Sequence, residues 1–215
     1  MRAIRVWLTL TALAGSAPAA PPPVVAADAG QVIVVRPAGE KVFQVQVTAR
    51  ERRGDGWADV LTTRPAVIGP NGFAAQGKKR EGDGHTPSGV YRFGTAFGPA
   101  QSIETGLNYR PATADDFWVD DPQSPQYNRW VHGKPAAKSF EKLLQPAYKL
   151  AAVIEYNTDP VVPGNGSAIF LHVWSGPDKP TAGCVALAEA DVRMLLRWLD
   201  RRKNPVIVLN PSSPP

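Results

Sequence analysis

Proline and glycine recur along the whole chain, and this constrains the fold more than any other feature of the sequence. The 215 residues include 22 prolines and 19 glycines. Proline fixes one backbone angle and has no N–H group to donate, while glycine supplies the conformations that tight turns need. A chain interrupted this often favours a loop-rich protein built from many short strands.

The spacing of apolar residues agrees with that expectation. Residues 41–50 alternate between apolar and polar, which is typical of a strand with one buried face. We expect about eight short strands, among them residues 31–36, 41–50, 57–61, 148–156 and 205–209. Helices are expected at residues 140–145 and, with a clear apolar stripe, at residues 188–202. The prediction is one domain that is mainly β, with peripheral helices on its outside.

The two ends of the chain are set apart from this domain. Residues 1–20 have the features of a secretory signal peptide, including Arg2, Arg5 and an Ala17-Pro18-Ala19 cleavage pattern. An uncleaved anchor is the alternative for this segment. A linker rich in proline and alanine (21–30), the domain (31–210) and a tail (211–215) follow. We expect export to the periplasm or cell wall, no stable membrane insertion after cleavage, and a monomer.

The charge of the chain is mildly basic. Of the 24 Lys and Arg residues, Arg2 and Arg5 belong to the expected signal. The remaining 22 and the 19 Asp and Glu give a net charge of +3. No basic run or interleaving of aromatic and basic residues accompanies this charge, so we expect no nucleic-acid partner. A mildly basic surface suits an anionic cell wall, and solubility alone explains it equally well.

One stretch, residues 167–187, brings a histidine and the only cysteine of the chain close together. In an exported protein an unpaired cysteine suggests a reactive thiol. Free cysteine is also among the residue types most often buried and inert, so the count leaves both interpretations open. Alternation along a strand puts His172 on the same face as Phe170 and Trp174, a partly apolar setting that favours the neutral imidazole.

A base on one element and a thiol on the next is the arrangement that nucleophilic acyl transfer needs. His172 can take the proton of the Cys184 thiol, which is a poor nucleophile until it is ionised. The turn before the thiol can present the backbone amides of Gly183 and Cys184 to an oxyanion. No Asp or Asn is placed by the sequence to orient the imidazole, so we expect the backbone carbonyl of Val173 to do so.

A second polar region, residues 94–138, has little periodicity. Four aspartates lie within residues 115–121, but the spacing of a calcium-binding loop is absent. We therefore expect no metal and no cofactor, and interpret 115–121 as a strand with solvated ends. Long segments of this kind are usually functional, and we predict a lid or wall over the reactive pair. His85 and His132 are expected to be loop histidines.

The reactive stretch resembles a known signature, in which a histidine ending a strand is followed by Ser/Thr-x-Gly-Cys. Here His172 is followed by Thr181-Ala182-Gly183-Cys184, and an upstream segment holds Thr86-Pro87-x-Gly89. Tyr127-Asn128 and Tyr156-Asn157 extend the likeness, which covers residues 65–210. The chain is similar to the L,D-transpeptidase catalytic domain (YkuD-like) family. The resemblance implies a β-sandwich of mixed sheets.

The resemblance also implies a reaction on peptidoglycan stem peptides. Cys184 would attack the carbonyl on the L-configured side of an L,D peptide bond and release the terminal D-amino acid. The thioester would pass to an amine of a second stem, with His172 acting first as base and then as acid. Candidates for binding substrate or its carboxylate are Thr181, Tyr127, Asn128, Arg129, Arg80, Arg110 and Lys134.

Two positions depart from the pattern of the family. Ala182 stands where many members have a second histidine, and Ala186 where many have an arginine. The first departure leaves His172 as the sole imidazole partner, and the second leaves open which cation, if any, binds the substrate carboxylate. Together they leave the acceptor, and transpeptidation as opposed to hydrolysis, open. An L,D-carboxypeptidase or other peptidoglycan hydrolase and a non-catalytic wall-binding module are the alternatives. A papain-like protease is disfavoured, because no Cys-Gly-x-Cys-Trp segment is present.

Overall fold

Strands make up most of the regular structure. The computed structural model describes residues 27–211, so the expected signal peptide, most of the linker and residues 212–215 lie outside the described residues. The strands within this range are β1 (Gln31–Pro37), β2 (Gln44–Arg53), β3 (Gly56–Val67), β4 (Gly89–Gly98), β5 (Tyr109–Pro111), β6 (Asp116–Val119), β7 (Arg129–His132), β8 (Phe140–Lys142), β9 (Ala151–Ile154), β10 (Phe170–Val173), β11 (Val185–Leu187) and β12 (Val206–Leu209). One α-helix, α1 (Glu189–Trp198), and two single-turn 3₁₀ helices, Pro146–Tyr148 and Arg201–Lys203, complete the described part.

Nine of these strands form one mixed sheet. Their order is β12-β1-β2-β3-β11-β10-β9-β4-β5, and β12 also pairs with β4. The pairs β1–β12 and β10–β11 are parallel, whereas β2–β3 is an antiparallel hairpin. The long strand β4 pairs with β12 through its first half and with β9 through its second. The sheet therefore folds over onto itself, consistent with the β-sandwich of mixed sheets that was expected.

The main core lies between the layers of this folded sheet. Ile33, Val47, Leu171 and Ile207 are each fully buried in it. Helix α1 contributes Val192, Leu195 and Leu196 to the same core and packs beside β10 and β11. The predicted amphipathic helix is thus confirmed, although it ends at Trp198 rather than at residue 202, because the backbone becomes extended at Leu199.

A second, smaller sheet stands beside the first, in the order β7-β6-β8. It corrects the expected helix at residues 140–145, since Phe140–Lys142 is a strand paired with β6. The Phe140 ring packs edge-on against Phe117 of β6, with centroids 5.2 Å apart. This tertiary contact outweighs the weak helical signal of so short a segment.

The acidic residues of this sheet also differ from expectation. Asp116 and Asp121 were expected at solvated strand ends, yet they are only 2% and 6% exposed. Asp116 accepts hydrogen bonds from Trp130 Nε1 at 2.7 Å, from Thr113 at 2.8 and 2.7 Å, and from Arg110 at 2.8 Å. Burial favours a higher pKa for Asp116, but the hydrogen bonds from Trp130 and Thr113 outweigh it and hold the pKa well below the usual range.

The residues just before β1 pack against the C-terminal part of the domain. Ala29 is fully buried, and the Gly30 N–H donates to the carbonyl of Lys203 at 2.7 Å. Ordered packing therefore begins two residues before β1. No helix among residues 27–211 is long and apolar enough to cross a membrane.

Asp116→Asn is expected to lower the free energy of unfolding by about 2 kcal/mol at pH 7, because a buried charge that accepts several hydrogen bonds is lost. The pKa of Asp116 in the folded protein lies below its value of about 3.9 in the unfolded chain. The ionised carboxylate therefore stabilises the fold in full above about pH 3.9. This stabilisation is lost as the pH falls through the folded pKa. Urea unfolding at pH 7 and pH 3 measures this, and the difference between wild type and variant should narrow at pH 3.

The matched control is Asp55→Asn, at an exposed position in the β2–β3 turn. It should change the free energy of unfolding by no more than about 0.5 kcal/mol at either pH. Equal effects of the two substitutions would contradict the assigned role of Asp116.

Candidate active site

The pairing of β10 with β11 brings His172 and Cys184 into one cavity. The strands are parallel, with Leu171 opposite Val185 and His172 opposite Ala186, so Cys184 enters β11 beside Phe170. The cavity has a volume of about 430 Å³. The polar and reactive side chains that line it are those of Lys79, Glu81, Asp120, Glu141, Gln145, Tyr148, Ser167, His172, Trp174, Ser175, Lys179, Thr181 and Cys184.

The His172 imidazole is held in one tautomer. Its Nδ1 lies 2.9 Å from the backbone oxygen of Val173. A carbonyl can only accept, so Nδ1 carries the proton and the lone pair remains on Nε2. Burial lowers the pKa of His172, with the Val173 hydrogen bond opposing in part. The imidazole is therefore neutral at pH 7, the form that a general base requires.

The Cys184 thiol is protonated in the resting site. Its Sγ donates to the Ala168 carbonyl at 3.1 Å and accepts from the Phe170 N–H at 3.3 Å. Burial, reinforced by the charge of Glu141, raises the pKa of the thiol far above its ordinary value. Within residues 27–211 no hydrogen bond joins Sγ to His172. Cys184 thus has the burial of an inert cysteine but lies in the wall of a cavity.

Two threonines hold the turn that carries the thiol. Thr181 Oγ1 donates to the Cys184 carbonyl at 2.7 Å and accepts from the Gly183 N–H at 3.1 Å. Thr86 Oγ1, which is fully buried, donates to the Gly183 carbonyl at 2.7 Å and accepts from the Gly69 N–H at 3.1 Å. The Thr86-Pro87 segment therefore contacts the turn directly.

Gly183 has a backbone geometry that other residues rarely adopt. Its φ is +151°, and a Cβ added there would lie 2.9 Å from the His85 carbonyl oxygen. Its N–H, the expected oxyanion donor, already has Thr181 as its acceptor. The N–H of Cys184 has no acceptor among residues 27–211, so it is the amide available to a developing oxyanion.

Of the expected substrate-binding residues, Thr181 lines the cavity. Tyr127 and Asn128 instead lie behind it and hold the segment before β10. Tyr127 Oη accepts from the Gly166 N–H at 3.0 Å, and Asn128 Oδ1 accepts from the Ala168 N–H at 3.1 Å. They thereby position the Ala168 carbonyl that accepts from the thiol.

The expected cationic candidates lie away from the cavity. The guanidinium of Arg80 donates to the carbonyls of Gly77 and Lys79, and that of Arg129 to the carbonyl of Thr158. Arg110 pairs with Asp116, and Lys134 is exposed on a loop. None of these four residues lines the cavity, and neither do His85 and His132.

Sequence reasoning missed most of the charged residues that do line the cavity. Lys79 is buried and bonded to Asp83 at 2.7 Å, and Lys179 stands on the β10–β11 loop. Burial raises the pKa of both Asp120 and Glu141. Glu141 was missed because its segment was predicted to be a helix. Of residues 94–138, which were predicted to form a lid or wall over the reactive pair, only Asp120 lines the cavity. Within residues 27–211 no three His, Cys, Asp or Glu side chains converge as a metal site would require.

The comparison with known proteins supports one family. A family model for the L,D-transpeptidase catalytic domain matches residues 31–208. No curated protein and no solved structure matches the chain. The match spans all twelve strands except the last residue of β12, and it includes both His172 and Cys184.

Thr86→Val is expected to lower the free energy of unfolding by about 1–3 kcal/mol, because the buried Gly69 N–H and Gly183 carbonyl lose their partner. The loosened turn should also expose the thiol, so alkylation of Cys184 by iodoacetamide becomes faster. Urea unfolding and intact mass measure the two effects. Thr86→Ser keeps the hydroxyl and is the control; a Val variant that matches it in both measurements would contradict the role of this hydrogen bond.

The raised pKa of Cys184 makes a separate prediction for the wild type. Alkylation by iodoacetamide at pH 7 should be slower than that of glutathione, and its rate should still be rising at pH 9. Because the chain has one cysteine, mass spectrometry follows this site alone. A rate that reaches a plateau below pH 7 would instead indicate a preformed thiolate.

Proposed function

Because the chain belongs to the L,D-transpeptidase catalytic domain family, we propose that it is an exported acyltransferase that cross-links peptidoglycan stem peptides through a thioester at Cys184. The observation that carries the proposal is the shared cavity of Cys184 and His172, with the lone pair of His172 left on Nε2 by the Val173 contact. A sole cysteine beside a neutral histidine supplies the nucleophile and the base that acyl transfer needs. The site of action is the periplasm or cell wall.

The first step forms the thioester. A donor stem enters the cavity, and Sγ of Cys184 turns from the Ala168 carbonyl toward the substrate carbonyl carbon. The thiol proton moves to Nε2 of His172 as the S–C bond forms, and the free Cys184 N–H donates to the oxyanion. The imidazolium then gives its Nε2 proton to the leaving nitrogen as the C–N bond breaks. A D-amino acid departs, and the acyl group stays on sulfur.

The second step transfers the acyl group. An amine of a second stem attacks the thioester carbonyl and gives its proton to Nε2 of His172. Collapse of the second oxyanion breaks the S–C bond, and the sulfur takes that proton back. The products are a new amide cross-link and the resting thiol. Water in place of the amine gives a free carboxylate, which is the hydrolytic alternative left open by Ala182 and Ala186.

Cys184→Ala and His172→Ala are each expected to lower turnover of a tetrapeptide stem by roughly 10³-fold or more, since nucleophile and base act as a unit. Intact mass should show an acyl adduct on the wild type and none on Cys184→Ala. Both variants should unfold cooperatively, as judged by circular dichroism. His132→Ala, which changes an exposed histidine outside the cavity, is the matched control and should keep wild-type turnover.

The outcomes separate the candidate functions. A dimeric product from two stems supports cross-linking, and a shortened stem alone indicates an L,D-carboxypeptidase. Binding of peptidoglycan without any adduct on the wild type would reject catalysis and leave a wall-binding module.

A further inference from the structure

We propose that Glu141 is a positioning residue for His172 and that it acts through Tyr148. The inference rests on the proposed function in one respect, namely that His172 is the base. Neither Glu141 nor Tyr148 was expected from the sequence to take part in the site. Their contacts form a continuous path from the small sheet to the imidazole.

The path begins at the imidazole. The ring of Tyr148 packs against that of His172 with the centroids 5.2 Å apart and the planes at 79°. Such edge-on contacts are favourable and orient the two rings relative to each other. The Val173 hydrogen bond fixes Nδ1, but rotation about that bond still changes where Nε2 points. The Tyr148 ring restricts this remaining motion.

Both the ring and the hydroxyl of Tyr148 are held by neighbouring side chains. Its ring meets the rings of Phe97 and Phe170 at centroid distances of 5.7 and 5.4 Å. Its hydroxyl donates to Glu141 Oε1 at 2.7 Å. Burial raises the pKa of Tyr148 well above its ordinary value, so the hydroxyl keeps its proton and remains a donor.

Glu141 is fixed by the small sheet. It lies on β8 opposite Trp118 of β6. Gln145 Nε2 donates to the same carboxylate oxygen at 3.3 Å and to the Lys142 carbonyl at 2.9 Å. These contacts hold the Glu141 carboxylate in place. Its hydrogen bond to the Tyr148 hydroxyl in turn holds the tyrosine.

This arrangement gives the small sheet a function in the reaction. The threonines that hold the cysteine turn come from the β10–β11 loop and the Thr86 segment, whereas the carboxylate that orients Tyr148 comes from β8. A shift of about 1 Å in a reacting group can cost on the order of 100-fold in rate. Loss of the Glu141–Tyr148 bond should therefore reduce the rate of acylation rather than the binding of the donor.

The test is a double-mutant cycle on acylation of Cys184 by a tetrapeptide stem. Tyr148→Phe keeps the ring and Glu141→Leu removes the acceptor, and each should lower the saturating acylation rate by about tenfold while the half-saturating concentration changes less than about twofold. The double variant should be no slower than either single variant, because both remove one contact. Glu141→Gln keeps an acceptor and should restore the rate to within about threefold of wild type.

Tyr109→Phe is the matched control, since its hydroxyl bonds the Gly98 and Ala100 carbonyls outside the cavity. It should leave the rate unchanged. Three results would each overturn the proposal. The first is a wild-type rate in Tyr148→Phe and Glu141→Leu, and the second is a double variant whose loss is the product of the two single losses. The third is a Glu141→Gln variant as slow as Glu141→Leu.

A second measurement is independent of activity. The chain has three histidines, so the imidazole resonances of His172 can be assigned by comparison with His85→Gln and His132→Gln. Tyr148→Phe and Glu141→Leu should move the His172 ring signals to the same new positions, and Glu141→Gln should not. Unmoved signals would overturn the positioning role, whereas a wild type that forms no acyl adduct would reject the proposed function alone.

Discussion

The parallel pairing of β10 with β11 is the interaction on which the candidate site depends. It sets His172 opposite Ala186 and leaves Cys184 one residue before the strand, beside Phe170. Two parallel neighbours cannot be joined by a tight hairpin, so the loop between them must run out over the sheet and return. That loop carries Trp174, Lys179 and Thr181, and it becomes one wall of the cavity.

The polar groups around the thiol and the imidazole are mostly hydrogen-bonded to the backbone or to threonines. The thiol has the Ala168 carbonyl, the Nδ1 of the imidazole has the Val173 carbonyl, and both carbonyls of the Gly183–Cys184 turn have a threonine. Burial without such partners would be costly for each group. Among residues 27–211, Nε2 of His172 and the N–H of Cys184 have no hydrogen-bond partner, and the proposed reaction uses both; Asp120 Oδ1, in the wall of the same cavity, is also buried without one.

Burial also explains the resting charge state. Desolvation disfavours the thiolate and the imidazolium alike, so the pKa of Cys184 is raised and that of His172 is lowered. The neutral thiol and the neutral imidazole are therefore the stable forms of the two groups at pH 7. In the proposed reaction, charge develops on the oxyanion and on the imidazole, so the reaction depends on where the hydrogen-bond donors and the edge of the His172 ring are placed.

The sequence by itself determined the β-rich class, the amphipathic helix and the pair His172 and Cys184, because these depend on local periodicity and a sole cysteine. Only the tertiary structure decided that β8 is a strand, that Asp116 is buried, and that Glu141, Tyr148 and Lys179 share a cavity with Cys184. Of the two amides that the sequence offered to an oxyanion, it gave the Gly183 N–H an acceptor in Thr181 and left the Cys184 N–H without one among residues 27–211. The reason is that each of these features depends on contacts with residues far away in the chain, such as Phe117 for β8 and Thr86 for the cysteine turn. A local sequence pattern does not indicate which distant residue a segment will contact.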